Sequence, residues 1–124
     1  MNHYIAAETA IEKLKVFDGI SKIVLYGSVA TGRARPDSDI DIAVIVKDRK
    51  NYPANLDAPL SHLIRGEIIV EQIRAMHNLR LHLVFYWESE YAKGIVLDGS
   101  KKHREDCLLN EVGIVKFDTT DGKI

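Results

Sequence analysis

The stretch LYGSVATGRARPDSDIDIAVIV, Leu25–Val46, places two aspartates at the start of an apolar run. One apolar segment ends at Gly27 and Ser28, a polar loop follows, and Asp39 and Asp41 open the second apolar segment. Aspartate is a poor strand former, and a carboxylate without a partner is costly to bury. Another group must therefore compensate the two carboxylates.

A metal ion is the simplest compensation for Asp39 and Asp41. Residues i and i+2 of a strand share a face, with Cα atoms about 6.5–7 Å apart. Carboxylate oxygens suit Mg²⁺, which keeps several waters and commonly binds substrate phosphates as well. Upstream, Gly27 allows close approach of the backbone, and N–H groups at such a turn bind anions, to which Ser28 adds a hydroxyl. The parts together fit phosphoryl transfer from a nucleotide.

Each half of this pattern also has an ordinary explanation. A glycine and serine after a strand usually form only a turn, and a single Asp-x-Asp is common at exposed strand ends. The order is more specific than either half: Gly27-Ser28, then Gly32, then Asp39 and Asp41 leading into an apolar strand.

Composition predicts one cytoplasmic domain over residues 1–124. Apolar residues make up 46% and charged residues 28% of the chain, and the net charge is -1. No broad basic field favours nucleic acid, so nucleic-acid binding is not expected. Cys107 is the single cysteine, which excludes an internal disulfide and a cysteine-rich zinc site. No export signal or membrane-spanning run is visible, so we expect no membrane association.

Periodicity predicts a mixed α/β (α+β) fold, with helices packed on a small sheet. The expected elements are a helix over 4–17, a strand over 23–26, a short helix after Gly27 ended by Pro36, a strand over 39–46, a helix over 60–78, a strand over 79–87, a short strand at 95–97, a helix over 101–112 and a last strand over 113–117. A strand at 68–70 is the alternative within the long helix. Alternation puts Asp39, Asp41, Ala43 and Ile45 on one strand face.

The segment GSVATGRARPDSDIDIAV resembles the defining motif of the DNA polymerase beta-type nucleotidyltransferase superfamily. That motif is Gly-Ser, a short helix, and Asp-x-Asp on the next strand. The chain is most similar to the minimal nucleotidyltransferases of bacteria and archaea, and the match is close only over Leu25–Val46. The resemblance implies the nucleotidyltransferase fold, a small mixed sheet with helices mainly on one face.

The resemblance also implies an activity: the transfer of a nucleoside monophosphate to an acceptor hydroxyl with release of pyrophosphate. The expected donor is ATP, which would supply AMP. Asp39 and Asp41 would be catalytic and would bind Mg²⁺. The residues assigned to the nucleotide are Gly27, Ser28, Arg33 and Ser38.

One position departs from the family pattern. The next core strand usually carries a third carboxylate, but the segment here is LHLV, with His82 in its place. A neutral imidazole serves as a general base near neutral pH but is a poor ligand for Mg²⁺. The second metal site is then weak, or Glu88 or Glu90 reaches in from beyond the strand, or transferase activity is lost. A catalytic role for His82 and a structural one are weighted equally, whereas His3, His62, His77 and His103 are expected to be structural.

Two functions compete at this point. The first is an active enzyme whose acceptor is a protein, since small members of the family pair with helical HEPN-domain proteins as toxin–antitoxin modules. The second is an inactive binding or antitoxin subunit of the same fold, which His82 favours. An RNA- or tRNA-modifying transferase is a third alternative, which the near-neutral charge disfavours. The acceptor, the base preference and assembly into homo-oligomers stay open.

Overall fold

The computed structural model describes residues 2–17, 19–47, 66–97, 107–109 and 113–119. These residues contain four helices and six strands, in chain order α1 Asn2–Leu14, β1 Ile20–Tyr26, α2 Gly27–Ala30, β2 Ile40–Val46, α3 Gly66–His77, β3 Leu81–Trp87, α4 Glu88–Lys93, β4 Val96–Leu97, β5 Cys107–Leu108 and β6 Ile114–Asp118. None of the described helices is long and apolar enough to cross a membrane.

Four strands form a mixed sheet in the order β3-β2-β1-β6. β1 runs antiparallel to both β2 and β6, while β2 and β3 are parallel. The parallel pair is joined through α3, as parallel strands need a crossover connection. The predicted mixed sheet is therefore confirmed, and its parallel half brings the start of β3 beside the start of β2.

The two faces of this sheet are covered differently. The predicted alternation of β2 is confirmed: Ile40, Ile42, Val44 and Val46 pack with α1 and α3 in the main core. Ala43 and Ile45 face the opposite side, in a smaller cluster with Ile95 and Leu109. The two long helices thus lie on one face, as expected, and leave Asp41 on the other.

α3 resolves the ambiguity between helix and strand around residues 68–70. The segment is helical, and its buried Ile69 and Ile73 are four residues apart, so they occupy one helix face. The alternative strand at 68–70 is wrong because packing of this face on the sheet outweighs the β-propensity of the isoleucines and the valine. Residues 60–65 of the predicted helix lie outside the described residues.

The C-terminal part differs from the prediction at one element. A helix was expected over 101–112, but Cys107 and Leu108 form β5, antiparallel to β4. The backbone N–H of Leu109 donates to the carbonyl of Ile95 at 2.8 Å and extends this contact. Residues 101–106 and 110–112 lie outside the described residues. The final strand is confirmed as β6, and the ion pair between Lys22 and Asp118, 2.7 Å long, ties it to β1.

Candidate active site

The site lies where β1 ends and β2 begins. In the sheet register Tyr26, the last residue of β1, is opposite Asp41, and Asp41 is opposite His82 on the other side. α2 starts at Gly27, directly after Tyr26. The sheet therefore brings together the glycine-serine turn, the aspartate pair and His82, which are far apart in sequence.

Gly27 is required by its contact with Asp41. Its φ of +77° lies in the left-handed region that side chains rarely adopt. A Cβ added here would overlap Oδ2 of Asp41 and lie 3.2 Å from its Cγ. The absence of a side chain thus lets the turn lie directly against the carboxylate. From the sequence, glycine at this position was explained only by the close approach of a phosphate.

The helix after Gly27 is shorter than predicted. α2 ends at Ala30, and Gly32 follows with φ +74°, so Pro36 does not terminate it. The backbone N–H of Arg33 donates to the carbonyl of Ser28 at 2.8 Å and closes the turn. The Arg33 side chain is exposed and forms no ion pair within the described part of the chain. Its predicted contact with a phosphate stays a prediction.

Asp41 and His82 form a hydrogen-bonded pair. Nδ1 of His82 lies 3.2 Å from Oδ1 of Asp41 and donates to it in the tautomer that carries the proton on Nδ1. Burial raises the pKa of the Asp41 carboxyl, His82 opposes this rise, and the charge of Asp39 adds to it. The Asp41 side chain is 25% exposed and that of His82 is 58% exposed. The pair is therefore open to a ligand from the solvent side.

Asp39 has a different neighbour, Arg80. The two are opposite each other because β2 and β3 pair from Ile40 and Leu81 onward. Nε of Arg80 lies 3.9 Å from Oδ1 of Asp39, with side chains 66% and 41% exposed, so this ion pair is weak. Sequence reasoning missed Arg80, because only the parallel register places it beside Asp39.

Ser38 shapes the loop that leads to Asp39. Its hydroxyl accepts the backbone N–H of Arg35 at 2.8 Å, and its own N–H donates to the carbonyl of Arg35. Nε2 of His3 lies 3.2 Å from the Ser38 carbonyl oxygen. His3 is 5% exposed, which agrees with its predicted structural role. The Ser38 hydroxyl is thus engaged within the loop, and a nucleotide contact through it stays a prediction.

Glu88 and Glu90 do not complete the site. They follow β3, whose last residue Trp87 is opposite Val46, at the other end of β2 from Asp41 and roughly 17 Å away. Glu88 accepts a hydrogen bond from the Ser21 hydroxyl at 2.5 Å, and Glu90 accepts one from the backbone N–H of Trp87. The alternative in which one of them reaches in as the third carboxylate is therefore wrong, because β3 carries them away from the site.

The donor set fits one magnesium ion better than two. Within the described ranges, no group of three histidine, cysteine or acidic side chains is placed to hold a metal. Asp39 and Asp41 offer the oxygen donors that Mg²⁺ prefers, and waters and phosphates commonly fill its other positions. His82 offers nitrogen at the place where a third carboxylate would serve a second ion.

Tyr26 provides a test of the electrostatics around Asp41. Burial raises the pKa of its phenol, and Asp41 and Tyr86 raise it further. Tyrosines ordinarily ionise near about pH 10. In an ultraviolet titration of the folded protein, we expect Tyr26→Phe to leave the absorbance rise near pH 10 unchanged. In urea the same variant should lose the signal of one of the five tyrosines.

The sign of the stability effect follows from the same shift. Because the folded-state pKa of Tyr26 exceeds the unfolded one, its stabilising contribution is complete below about pH 10 and is lost as the pH rises toward the folded value. Wild type should therefore lose urea resistance faster than Tyr26→Phe above about pH 10. An equal loss in both proteins, or a smaller folded-state titration signal in the variant, would contradict the burial of this phenol.

Comparison with known proteins places this site in a family. The family model for polymerase beta nucleotidyltransferases matches residues 8–92, which include the glycine-serine turn, both aspartates and His82. The chain therefore belongs to the polymerase beta nucleotidyltransferase family, and nucleotidyl transfer is the activity of its class.

A solved structure is similar as well. A protein from Sulfolobus solfataricus, provisionally named a nucleotidyltransferase, is 20% identical, with 86% of this chain and 77% of that chain covered and a TM-score of 0.44. No curated protein matches the chain.

Proposed function

We propose that this protein transfers a nucleoside monophosphate to an acceptor hydroxyl with release of pyrophosphate. The proposed donor is ATP, which supplies AMP. The supporting observation is the contact of Gly27 with Asp41: the turn that would cradle phosphates abuts the carboxylate that would bind their metal. Asp39 lies two residues earlier, directly before the same strand begins, and its side chain is partly exposed. Family membership gives the reaction class to which this geometry belongs.

Mg²⁺ would be held by Asp39 and Asp41 and would supply charge neutralisation at the phosphates when bound. Arg80, whose Nε lies 3.9 Å from Oδ1 of Asp39, would compete only weakly with the metal ion for this carboxylate, because both side chains are largely exposed. The N–H groups at the start of α2 and the Ser28 hydroxyl would orient the phosphates, with Arg33 and Ser38 as further predicted contacts.

His82 would accept the proton of the acceptor hydroxyl. Its Nδ1 is engaged by Asp41, which leaves Nε2 as the basic nitrogen in that tautomer. The same hydrogen bond holds the imidazole beside the metal site. A base must lie within hydrogen-bond reach of the proton that it removes, and the 58% exposed ring is accessible to an acceptor.

Replacement of His82 tests this role. His82→Ala should lower transfer by roughly 10²–10⁴-fold, the usual contribution of a general base, while binding of Mg²⁺ and ATP changes little. His82→Asp should bind Mg²⁺ more tightly, since it adds a hard oxygen donor. The checks are labelled transfer from α-³²P ATP and calorimetric titration of Mg²⁺ with nucleotide. Transfer by His82→Ala within about twofold of wild type would assign His82 a purely structural role.

The alternative is a catalytically inactive subunit that keeps the fold to bind a partner. Its supporting observation is that His82 and Arg80, two groups of this chain, already contact Asp41 and Asp39. In this alternative, protein groups replace the metal and nucleotide binding is weak. For either function the partner that we propose is a HEPN-domain protein in a cytoplasmic toxin–antitoxin pair, with the chain as antitoxin.

Labelled transfer separates these two functions. The protein is incubated with α-³²P ATP and Mg²⁺, with and without the protein encoded by the adjacent reading frame. Label on that neighbour supports the enzyme. An unlabelled neighbour that nevertheless binds, with equal affinity for wild type and the Asp39→Asn/Asp41→Asn double variant, would leave the inactive subunit as the function.

A further inference from the structure

We propose that an extended basic peptide segment docks along the outer edge of β3, at Leu81, Leu83 and Phe85, and carries the acceptor hydroxyl to His82. The inference rests on the proposed function, since it names the class of acceptor that this site uses. It is carried by the sheet edge, the groove beside it and the charges on the rim of that groove.

The edge of β3 offers backbone groups to an added strand. β3 is the outermost strand at its side of the sheet, and among the described residues its only strand neighbour is β2. The N–H of Ile40 donates to the carbonyl of Arg80, so Arg80 and His82 direct their backbone groups toward β2. With a period of two, Leu81, Leu83 and Phe85 direct theirs outward, where a peptide strand would pair.

A groove of about 330 Å³ runs between this edge and α3. Its floor is apolar and its rim is acidic, with lining residues that include Val70, Leu81, Leu83, Phe85, Glu67 and Glu71. The backbone edge and the apolar floor together are the features of a strand-addition site, in which alternate side chains of the peptide enter pockets.

The rim selects the charge of the occupant. Glu67 and Glu71 are exposed and four residues apart on α3, so their carboxylates lie on the same side of the helix. Among the described residues that line the groove, none is a lysine or an arginine. Lysine or arginine side chains would lay their apolar stems over Val70 and reach the two carboxylates. A nucleic-acid acceptor would instead bring phosphates against this negative rim, so the structure favours a basic peptide.

Strand alternation connects this docking to the chemistry. Leu81, Leu83 and Phe85 face the core side with α3, whereas His82 shares the opposite face with Asp41. Side chains of an added strand would alternate in the same way. Basic residues would anchor on the α3 side, and the residues between them would lie beside His82. The acceptor is therefore a hydroxyl residue that alternates with basic ones in an extended segment.

The first test measures binding without catalysis. The probe is a fluorescein-labelled synthetic peptide of nine residues, with lysine at even positions and threonine at odd positions except for one central tyrosine at position 5. Its affinity is measured by fluorescence anisotropy on full-length protein. Glu67→Gln/Glu71→Gln should weaken binding roughly 5- to 10-fold. The control Glu8→Gln/Glu12→Gln makes the same charge change at the same spacing on α1 and should leave binding unchanged. Equal effects of both double variants would overturn the proposal.

The second test detects the strand pairing itself. Two versions of the peptide carry backbone N-methyl groups, one at odd and one at even positions. Only one set of N–H groups points toward β3, so one version should lose binding at least about tenfold while the other keeps it. Equal loss in both versions, or tighter binding of a single-stranded oligo(U) probe that competes with the peptide, would refute edge docking.

These outcomes are distinguishable from failure of the proposed function. Pyrophosphate release from ATP to water needs the site but no peptide, so it reports on the enzyme alone. Pyrophosphate release, with no difference in affinity between the two N-methylated peptides, would overturn the docking proposal and keep the enzyme. A difference in affinity between the two N-methylated peptides, with no pyrophosphate release, would support the docking surface and reject the enzyme. Label on the central tyrosine of the bound peptide is the result that supports both.

Discussion

Asp41→Asn is expected to abolish nucleotidyl transfer, with a loss of roughly a thousandfold or more. Removal of a group that merely hydrogen-bonds a metal ligand typically costs 10–100-fold, and Asp41 is itself the proposed ligand. Asparagine keeps the size of the side chain and an oxygen that accepts from His82 Nδ1. Only the charge is lost, so the labelled-transfer assay isolates the role of that charge. Transfer within tenfold of wild type would contradict the assignment.

The stability of this variant excludes unfolding as the cause of the loss. Burial raises the pKa of Asp41, so its ionised form opposes folding: the contribution of this group is most favourable below the unfolded-state pKa and declines as pH rises through the folded one. At neutral pH the neutral asparagine should therefore unfold at the same temperature as wild type or a few degrees higher. Asp37→Asn, an exposed aspartate of the same loop, is the matched control and should keep full activity.

Gly27→Ala is expected to destabilise the protein by about 2–5 kcal/mol and to impair transfer. About 1–2 kcal/mol comes from placing a Cβ at a left-handed backbone conformation. The rest, about 1–3 kcal/mol, comes from the overlap of that Cβ with Oδ2 of Asp41, which forces the turn or the carboxylate to move. Urea unfolding gives the stability change, and the labelled-transfer assay gives the activity.

Gly32→Ala separates the two contributions. Gly32 has nearly the same φ, +74°, but a Cβ there meets no atom within 4 Å. It should cost only the conformational part and leave transfer close to wild type. In the background of Asp41→Ala, Gly27→Ala should cost no more than Gly32→Ala, because the colliding carboxylate is gone. Equal destabilisation by the two glycine variants in wild type would contradict the close contact between the turn and Asp41.

The strands nearest the site were predictable because their patterns are local. The period of two along a strand, counted from Asp39, assigns residues 39–46 to two faces from sequence alone, and β2 itself begins at Ile40. The glycine-serine turn and the aspartate pair lie within Leu25–Val46, and the order of these motifs is specific. His82 was selected from the family pattern, and the strand register places it opposite Asp41.

The features that sequence reasoning missed depend on contacts between distant segments. Arg80 is beside Asp39 only because β2 and β3 are parallel and in that register. Glu88 was one of two candidates for a third carboxylate in one of three alternatives, but the same register carries it to the far end of β2. The sequence predicted a helix over the two residues that form β5. Two residues are too few to show a strand periodicity, and their pairing with β4 decides their conformation. Each of these depends on tertiary pairing, which local patterns do not encode.

The most direct test of the site is the count of nucleotide-dependent metal ions. Mn²⁺, a spectroscopic substitute for Mg²⁺, is titrated by electron paramagnetic resonance in the presence of α,β-methylene ATP, which is not cleaved at the reacting bond. The donor set of Asp39 and Asp41 predicts one tightly bound ion per chain that requires the nucleotide. That ion should be lost in Asp39→Asn and in Asp41→Asn and kept in Asp37→Asn. Absence of such an ion in wild type, or its retention in both aspartate variants, would contradict the proposed site.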